Sequence, residues 1–223
     1  MRYLSIDTET TGVDQQRHQV LEIGVIVEDT DNLLDYNEIP KKNIILSYPE
    51  YLGSAFAISL NSRIFDILKE YEKISGSPQK VIEFQKEIGS VICPYNEAHL
   101  HLHDFLMKHY LTQEEQLEIK QMYTDGPVPR FHKVHVNQAG KNVGTFDVPF
   151  LKRLPNFKEI MEFSIRSIDP ANYLVLPADK ELPGTTACMQ RAGIYRNFKH
   201  QALSDAWDVI EMLRFSAKGK LYR

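Results

Sequence analysis

Two acidic residues, Asp7 and Glu9, stand one residue apart near the start of the chain, at the end of a short apolar run. The run predicts a β-strand, and alternate side chains of a strand point to the same face. Two carboxylates that close raise each other's pKa unless a cation neutralises them. Hard divalent cations bind carboxylate oxygens, so the pair predicts a metal site. The alternative is a pair of solvated acids at a strand end.

Further residues with suitable chemistry lie far along the chain. Asp147 follows a turn rich in glycine and asparagine, and His200 and Asp205 lie at the start of the last predicted helix. Hydrolysis of a phosphodiester by two metal ions needs several carboxylates around ions about 3.5–4 Å apart. An imidazole with a pKa near neutrality can take the proton of the attacking water. Together with Asp7 and Glu9, these residues could form one hydrolytic site.

The elements that must position these residues follow from the apolar periodicity. Three strands joined by short turns predict an antiparallel meander, with the third strand over Leu33 to Ile39. Helices and strands then alternate, with strands expected at residues 134–136 and 164–169 and the last helix over residues 201–215. This order of elements predicts an α/β fold with a mixed sheet.

The segment from about residue 54 to 132 is predicted to be mostly helical and is longer than a simple crossover between strands requires. The full length of 223 residues suits one hydrophobic core better than two. We therefore expect one domain over residues 1–223, in which this segment is an enlargement.

Composition narrows the class of protein. Apolar content of 43% and charged content of 25% are ordinary for a globular protein. The sequence shows no apolar run long enough to span a bilayer and no signal peptide. Cys93 and Cys188 form no Cys-x-x-Cys motif, which favours a reduced, cytoplasmic compartment. The net charge of −4 argues against non-specific coating of nucleic acid, although metal ions could let an enzyme grip a few phosphates.

Three stretches resemble the motifs of a known family. They are Asp-Thr-Glu-Thr-Thr-Gly at 7–12, Gly-Lys-Asn-Val-Gly-Thr-Phe-Asp-Val-Pro-Phe-Leu at 140–151 and His-Gln-Ala-Leu-Ser-Asp-Ala at 200–206. They look like the motifs of the DEDD-type 3′→5′ exonucleases in their histidine variant, and they come in the family's order. This DnaQ-like family includes bacterial proofreading subunits and trimming RNases. The resemblance implies a ribonuclease H-like fold, a five-stranded mixed sheet of order 3-2-1-4-5 flanked by helices.

The resemblance also implies catalytic roles. Asp7, Glu9 and Asp205 would ligate one metal ion, Asp7 and Asp147 would hold a second, and His200 would be the general base. The two ions would be Mg²⁺ or Mn²⁺. The reaction would release nucleoside 5′-monophosphates from the 3′ ends of single-stranded DNA or RNA, and the motifs do not decide between the two. A non-catalytic end-binding or scaffold module on the same fold is the alternative function.

Substrate-binding positions are implied in the same way. The backbone around Thr8 and the Glu9 carboxylate would approach the terminal 3′-OH, and Val13 would form an apolar wedge against the last base. Thr10 would be a further substrate-binding residue. Asn142 and Phe146 would line the groove for the penultimate nucleotide. Each has a structural alternative, since Val13 and Phe146 could belong to the core and Asn142 could simply be a turn residue.

Asp147 and His200 could also have purely structural roles. Asp147 could cap the helix that begins near Pro149, and His200 could be a hydrogen-bonded residue at a loop–helix junction. Because the chain ends soon after the last predicted helix, we expect a free-standing trimming or repair enzyme rather than a polymerase subunit, and a homo-oligomer is left open. Basic residues that could border the groove, or form a solvated face instead, are Lys141, Lys152, Arg153, Arg191, Arg196 and Lys199.

Overall fold

A computed structural model describes residues 1–123, 129–195 and 200–221 of the chain. Within these ranges the strands are β1 Arg2–Thr10, β2 Val20–Asp29, β3 Lys41–Ser47, β4 Val91–Pro94, β5 Val134–Val136, β6 Gln138–Ala139 and β7 Met161–Phe163. The helices are α1 Ala55–Leu60, α2 Ser62–Ile74, α3 Pro78–Ile88, α4 Ala98–His109, α5 Gln113–Met122, α6 Asp147–Leu151, α7 Phe157–Ile160, α8 Ala171–Leu174, α9 Thr185–Arg191 and α10 Ala202–Leu221. None of these helices combines the length and apolar character that a bilayer crossing needs.

The main sheet has five strands in the order β4-β3-β2-β1-β6. Strands β1, β2 and β3 form an antiparallel meander, whereas β4 runs parallel to β3 and β6 runs parallel to β1. The predicted α/β fold with a five-stranded mixed sheet is therefore confirmed. The predicted strand order 3-2-1-4-5 is not matched exactly. Strand β4 is added at one edge of the sheet, and the strand predicted at residues 164–169 of the other edge is reduced to a single bridge.

The weak edge is the segment 164–169, for which the sequence pattern predicts a full strand. It contributes a single parallel bridge, between Ile168 and Ala139. The Gln138 side chain donates to the Ser164 carbonyl at 2.8 Å, so a side chain takes the place of a ladder partner. The extended residues just before this segment, those of β7, pair instead with β5 in a separate two-stranded sheet.

The added strand is β4, which comes from the segment predicted to be mostly helical. Helix α3 ends at Gly89, whose φ of 65° lies in the left-handed region that terminates many helices. The chain then extends, and Ile92 pairs with Ile45 of β3. The third strand of the meander also differs from its predicted position at Leu33 to Ile39, because the Asp35 carbonyl accepts from the amides of Glu38 and Ile39 and closes a turn there.

Both faces of the sheet carry apolar clusters, and β1 contributes to both by alternation. Leu4 and Ile6 pack on one face with Phe105 of α4 and Phe150 of α6. Tyr3 packs on the opposite face, in a cluster that includes residues of α10 such as Ile210. The side chains of odd-numbered residues of β1 therefore point towards α10.

Helix α10 lies against β2 and is held there along its length. Its first amide, that of Ala202, donates to Glu22 Oε2 at 3.2 Å. Two residues further along the strand, a Cβ atom at Gly24 would lie 2.3 Å from the Ala202 carbonyl carbon, so only glycine allows this approach. Towards the other end of the helix, Arg214 Nε donates to the buried carboxylate of Glu28 at 2.8 Å. This docking fixes where the first turn of α10 presents its side chains.

We predict that Gly24→Ala lowers the free energy of unfolding by about 1–3 kcal/mol, because the added methyl group must push the first turn of α10 off the sheet. Urea denaturation followed by circular dichroism measures the change. Gly76→Ala is the matched control, since a Cβ at Gly76 meets no heavy atom within 4 Å. Equal stability of the Gly24 and Gly76 variants would show that α10 does not need this close approach.

Candidate active site

The residues of the first and third motifs meet at the end of β1. Ser5 Oγ donates to the Ala206 carbonyl of α10 at 2.7 Å, which places the following odd-numbered residues, Asp7 and Glu9, beside the start of that helix. One potential ligand atom from each of Glu9, His200 and Asp205 lies within 4.8 Å of the other two. These three residues form a candidate metal site built from both ends of the chain.

Asp147 joins the site from the second motif. It is buried in the first turn of α6, and its Oδ1 accepts a hydrogen bond of 2.7 Å from Thr8 Oγ1. The N-cap residue of α6 is Phe146, so the alternative in which Asp147 is only the helix cap is wrong. The Thr8 hydroxyl fixes the Asp147 carboxylate relative to β1.

The electrostatics of Asp7 and Asp147 reflect negative charge in a poorly solvated place. Desolvation is the largest cause that raises the pKa of Asp7 well above its ordinary value, and Asp147, Asp205 and Glu9 raise it further. Desolvation also raises the pKa of Asp147 to about 7, while the hydrogen bond from Thr8 opposes this rise. Asp7 is therefore near enough to the other three carboxylates for their charges to act on it.

Glu9 experiences a similar environment with one cation nearby. Its pKa is raised to about 8, first by desolvation and then by Asp205 and Glu22, while Arg63 and the Asn61 amide lower it. The positive charge of Arg63 therefore offsets only part of the repulsion. A divalent cation among these oxygens would offset much more, because it would hold the carboxylates in their ionised form.

Glu22 is a site residue that the motifs did not predict. Its side chain is 1% exposed, and it accepts from Asn43 Nδ2 at 2.7 Å, from Arg63 at 2.6 Å and from the Ala202 amide. Glu22 also faces Glu9 across the β1–β2 ladder. The signal in the sequence was a lone acid within a continuous apolar strand, which burial makes costly unless it is fully paired.

The loop that carries His200 has an unusual backbone. His200 has φ of 45°, in the left-handed region that few residues other than glycine adopt. Only Gln201 separates it from Ala202, whose amide Glu22 holds. The position of the imidazole is therefore tied to Glu22 through a short piece of chain. Arg196 and Lys199, predicted as groove residues, lie outside the described residues.

Helix α1 lies beside the end of β1 and leaves an apolar surface exposed. The Ser54 amide donates to the Thr11 carbonyl at 2.9 Å, and Asn61 Nδ2 donates to the Thr10 carbonyl at 3.1 Å, so both ends of α1 are attached to the strand. Phe56 on this helix is 77% exposed. Asn61 therefore lies beside the end of β1, and the helix just before it carries Phe56.

The predicted substrate-binding residues fall into different environments. Val13 is 80% exposed, so the alternative that assigned it to the core is wrong. Thr10 is buried, and its hydroxyl donates to the Gly12 carbonyl at 2.8 Å. Phe146 is half-buried, with its ring centroid 5.2 Å from that of Phe150, so it does pack on the core. Asn142 adopts φ of 57° and its carbonyl accepts from the amides of Thr145 and Phe146, as a turn residue does.

Four of the predicted groove cations are described, and most of them have other contacts. Lys141 lies 3.7 Å from Asp169, and Arg191 lies 2.6 Å from Asp179. Lys152 is placed over the ring of Phe163. Arg153 instead donates to the backbone carbonyls of Gln16 at 2.8 Å and His18 at 3.3 Å.

Comparison with known proteins places the chain by its fold. No protein-family model matches the chain, and no curated protein matches it by sequence. The fold, in contrast, is shared with solved structures of exonuclease I, so the resemblance carried by the motifs is supported at the level of the fold.

The similar solved structures include Escherichia coli exonuclease I. Its zinc-bound complex with single-stranded DNA matches with a TM-score of 0.53 and 16% identity, over 97% of this chain and 40% of that one. A complex of the same enzyme with a labelled dT13 oligonucleotide matches with a TM-score of 0.52 and 14% identity, over 99% of this chain and 41% of that one. The chain thus spans about two fifths of the length of these structures, and at this identity the likeness establishes the fold.

We predict that the metal-free protein becomes less stable as the pH rises from about 5 to about 8. The folded carboxyls, with pKa values of about 7 for Asp147 and about 8 for Glu9, retain protons that the unfolded chain has already released, so the free energy of unfolding falls across this range. Thermal unfolding in a chelator measures this slope. Asp7→Asn removes one repelling charge and should raise stability at the alkaline end.

The control for this prediction is Asp66→Asn, which neutralises an exposed carboxylate on α2. It should leave the pH profile unchanged, and addition of Mn²⁺ should stabilise this variant and the wild type much more than Asp7→Asn. A flat pH profile for the wild-type protein would contradict the described clustering of carboxylates.

A second prediction concerns Glu22. Glu22→Ala leaves the Asn43 amide, Arg63 and the Ala202 amide without their acceptor, and we expect a loss of about 2–4 kcal/mol of stability. Glu22→Gln keeps one oxygen acceptor in place and should lose less than half as much. Urea denaturation compares the two, and an unchanged stability of Glu22→Ala would show that this carboxylate does not hold α10.

Proposed function

We propose that residues 1–223 form a metal-dependent 3′→5′ exonuclease that removes nucleoside 5′-monophosphates from single-stranded nucleic acid, with DNA as the preferred substrate. One observation carries the proposal. Glu9, His200 and Asp205, from the two ends of the chain, lie close enough to share one metal ion, and the charges of Asp147, Asp205 and Glu9 act on Asp7. An acid cluster with an imidazole is the arrangement that two-metal phosphodiester hydrolysis requires.

The donor set fits two hard divalent ions, Mg²⁺ or Mn²⁺. All four acidic residues offer carboxylate oxygens, which these ions prefer, and the raised pKa values of Asp7 and Glu9 reflect negative charge that the surrounding side chains leave uncompensated. Asp7, Glu9 and Asp205 would hold one ion, and Asp7 and Asp147 the other. When bound, the ions would supply positive charge at the scissile phosphate and acidify the attacking water.

The residues of the chain itself would orient the reactants and move the proton. The Thr8 hydroxyl keeps Asp147 turned towards the other carboxylates. His200 would accept the proton of the attacking water as a general base. Its ring also lies close enough to Glu9 and Asp205 to be a metal ligand together with them. His200 would be the general base when the ions bind the carboxylates alone.

Single-stranded nucleic acid is favoured by the surface beside the site, and DNA in particular by the proteins that share the fold. Val13 and Phe56 are exposed apolar side chains next to the end of β1, and unpaired bases stack on such surfaces. Exonuclease I, a structural neighbour, has been solved in complexes with single-stranded DNA. The buried, unbridged Cys93 and Cys188 are compatible with a cytoplasmic setting.

The test uses single-stranded DNA and RNA of one sequence, labelled at the 5′ end, with Mg²⁺ or Mn²⁺. We expect a ladder that shortens from the 3′ end, faster for DNA, and its abolition by a chelator. Asp7→Ala should lose at least ~10³-fold in rate, as loss of one member of a cooperating catalytic set does. Glu118→Gln, an exposed acid on α5, is the control and should match the wild-type enzyme.

Two results would contradict the proposal. Full activity of Asp7→Ala would show that the carboxylate cluster takes no part in the reaction. A wild-type protein that binds 3′ ends in Mg²⁺ and Mn²⁺ without shortening them would indicate the scaffold module instead.

A further inference from the structure

A cavity of about 500 Å³ lies next to the carboxylate site, between two loops. Residues 16–19 of the loop after β1 form one wall, Leu52 and Gly53 before α1 form the other, and Arg153 after α6 closes it. The Gln19 carbonyl accepts from the Thr11 amide at 2.9 Å, so the cavity begins where the strand that carries Asp7 and Glu9 ends.

The walls of this cavity are held by specific contacts. The His18 ring packs on Gly12, where a Cβ would lie 2.3 Å from it, and His18 Nδ1 accepts from the Asp14 amide at 2.9 Å. The Gln19 side chain bridges to the opposite loop, where Oε1 accepts from the Leu52 amide at 2.7 Å. A group that enters the cavity therefore meets a preformed surface.

The cavity is cationic. Arg153 binds two backbone carbonyls of the loop, which satisfy its donors but leave its charge, and Arg17 is exposed beside it. Within the described part of the chain neither guanidinium forms an ion pair with a carboxylate, unlike Arg63 or Arg191, and the cavity lining contains no acid. On a chain with a net charge of −4, such a place is suited to an anion.

Aromatic rings next to this cavity indicate which anion fits. A smaller space of about 120 Å³ shares His18, Gln19 and Arg153 with it and is lined also by Tyr48 and Tyr95. Those two rings stack at 4.7 Å between centroids and 11° between planes. Both tyrosines also pack against the core, so they form a fixed aromatic border of the space. A cationic cavity beside aromatic side chains is a usual surface for single-stranded nucleic acid, whereas a free phosphate needs no aromatic neighbour.

We propose that this cavity binds a backbone phosphate of the substrate strand, upstream of the 3′-terminal nucleotide, through Arg17 and Arg153. The proposal rests on the exonuclease function proposed above and adds a second contact to it. The metal site then binds the 3′ end of the nucleic acid, and the arginine cavity binds the part of the substrate that has yet to be cleaved. Substrates too short to reach the cavity would gain nothing from it.

The experiment measures kcat/KM in Mg²⁺ for thymidine oligonucleotides from dT2 to dT8. For the wild-type enzyme we expect the value to rise with length. Arg17→Gln, which removes no described structural contact, should match the wild-type enzyme on dT2 and lose roughly tenfold on dT8 through KM, as loss of one charged contact does. Arg17→Lys should keep most of the gain, and the magnitude of the salt slope of dT8 binding should fall by about one in Arg17→Gln.

Arg153→Gln provides a second variant with the same expected pattern, and Lys80→Gln, an exposed cation on α3, is the control of equal charge change. Fluorescence anisotropy of labelled dT8 in a chelator measures binding without cleavage. If no oligonucleotide is cleaved, the exonuclease function fails, and an Arg17-dependent anisotropy would still support the cavity.

Two outcomes would overturn the proposal. The first is cleavage in which Arg17→Gln and Arg153→Gln retain the length gain and the salt slope of the wild type. The second is binding of inorganic phosphate that depends on Arg17 while the wild type shows no gain with oligonucleotide length, because the cavity would then hold free phosphate only.

Discussion

Carboxylates held close together in a poorly solvated place repel each other, and this repulsion governs the end of β1. Asp7 has its pKa raised by Asp147, Asp205 and Glu9, in addition to desolvation. A fold keeps such a cluster only if the surrounding structure fixes it, since each charge alone would move towards water. Such electrostatic repulsion is typical of functional sites, where some stability is lost in exchange for a preorganised charge distribution.

The docking of α10 on β2 is what fixes the cluster. Glu22, Gly24 and Glu28 lie on one face of β2 and contact the helix at its start, its first turn and further along. Glu22 does two things here, because it anchors the Ala202 amide and also recruits Arg63 next to Glu9. A single buried acid thus connects the backbone that places His200 and Asp205 with the cation that moderates the carboxylate charge.

The elements that carry Asp7 and Asp205 could be predicted because their type is recognisable in the sequence. The apolar run before Asp7 is a strand, and the amphipathic pattern after Asp205 is a helix. The strand order was harder to predict, since β4 is four residues long inside a helical segment, and residues 164–169 lose their ladder to side-chain hydrogen bonds. Such competition between a side chain and a backbone partner leaves no periodic signal.

The hydrogen bonds that hold the motif residues in place could not be predicted from the sequence. Glu22 could have been noticed as an acid in a buried strand, but its partners Asn43 and Arg63 come from β3 and α2, and only the folded chain brings them together. Arg153 was predicted only as one of six basic residues that could border the groove, and its bonds to the carbonyls of Gln16 and His18 are visible only in the folded chain.

The most direct test of the carboxylate cluster is a crystal structure of the protein soaked in Mn²⁺, with anomalous diffraction measured at the manganese edge. We predict two anomalous peaks about 3.5–4 Å apart, surrounded by Asp7, Glu9, Asp147 and Asp205. The absence of any peak among these four side chains at saturating Mn²⁺, or a peak only elsewhere on the molecule, would contradict it.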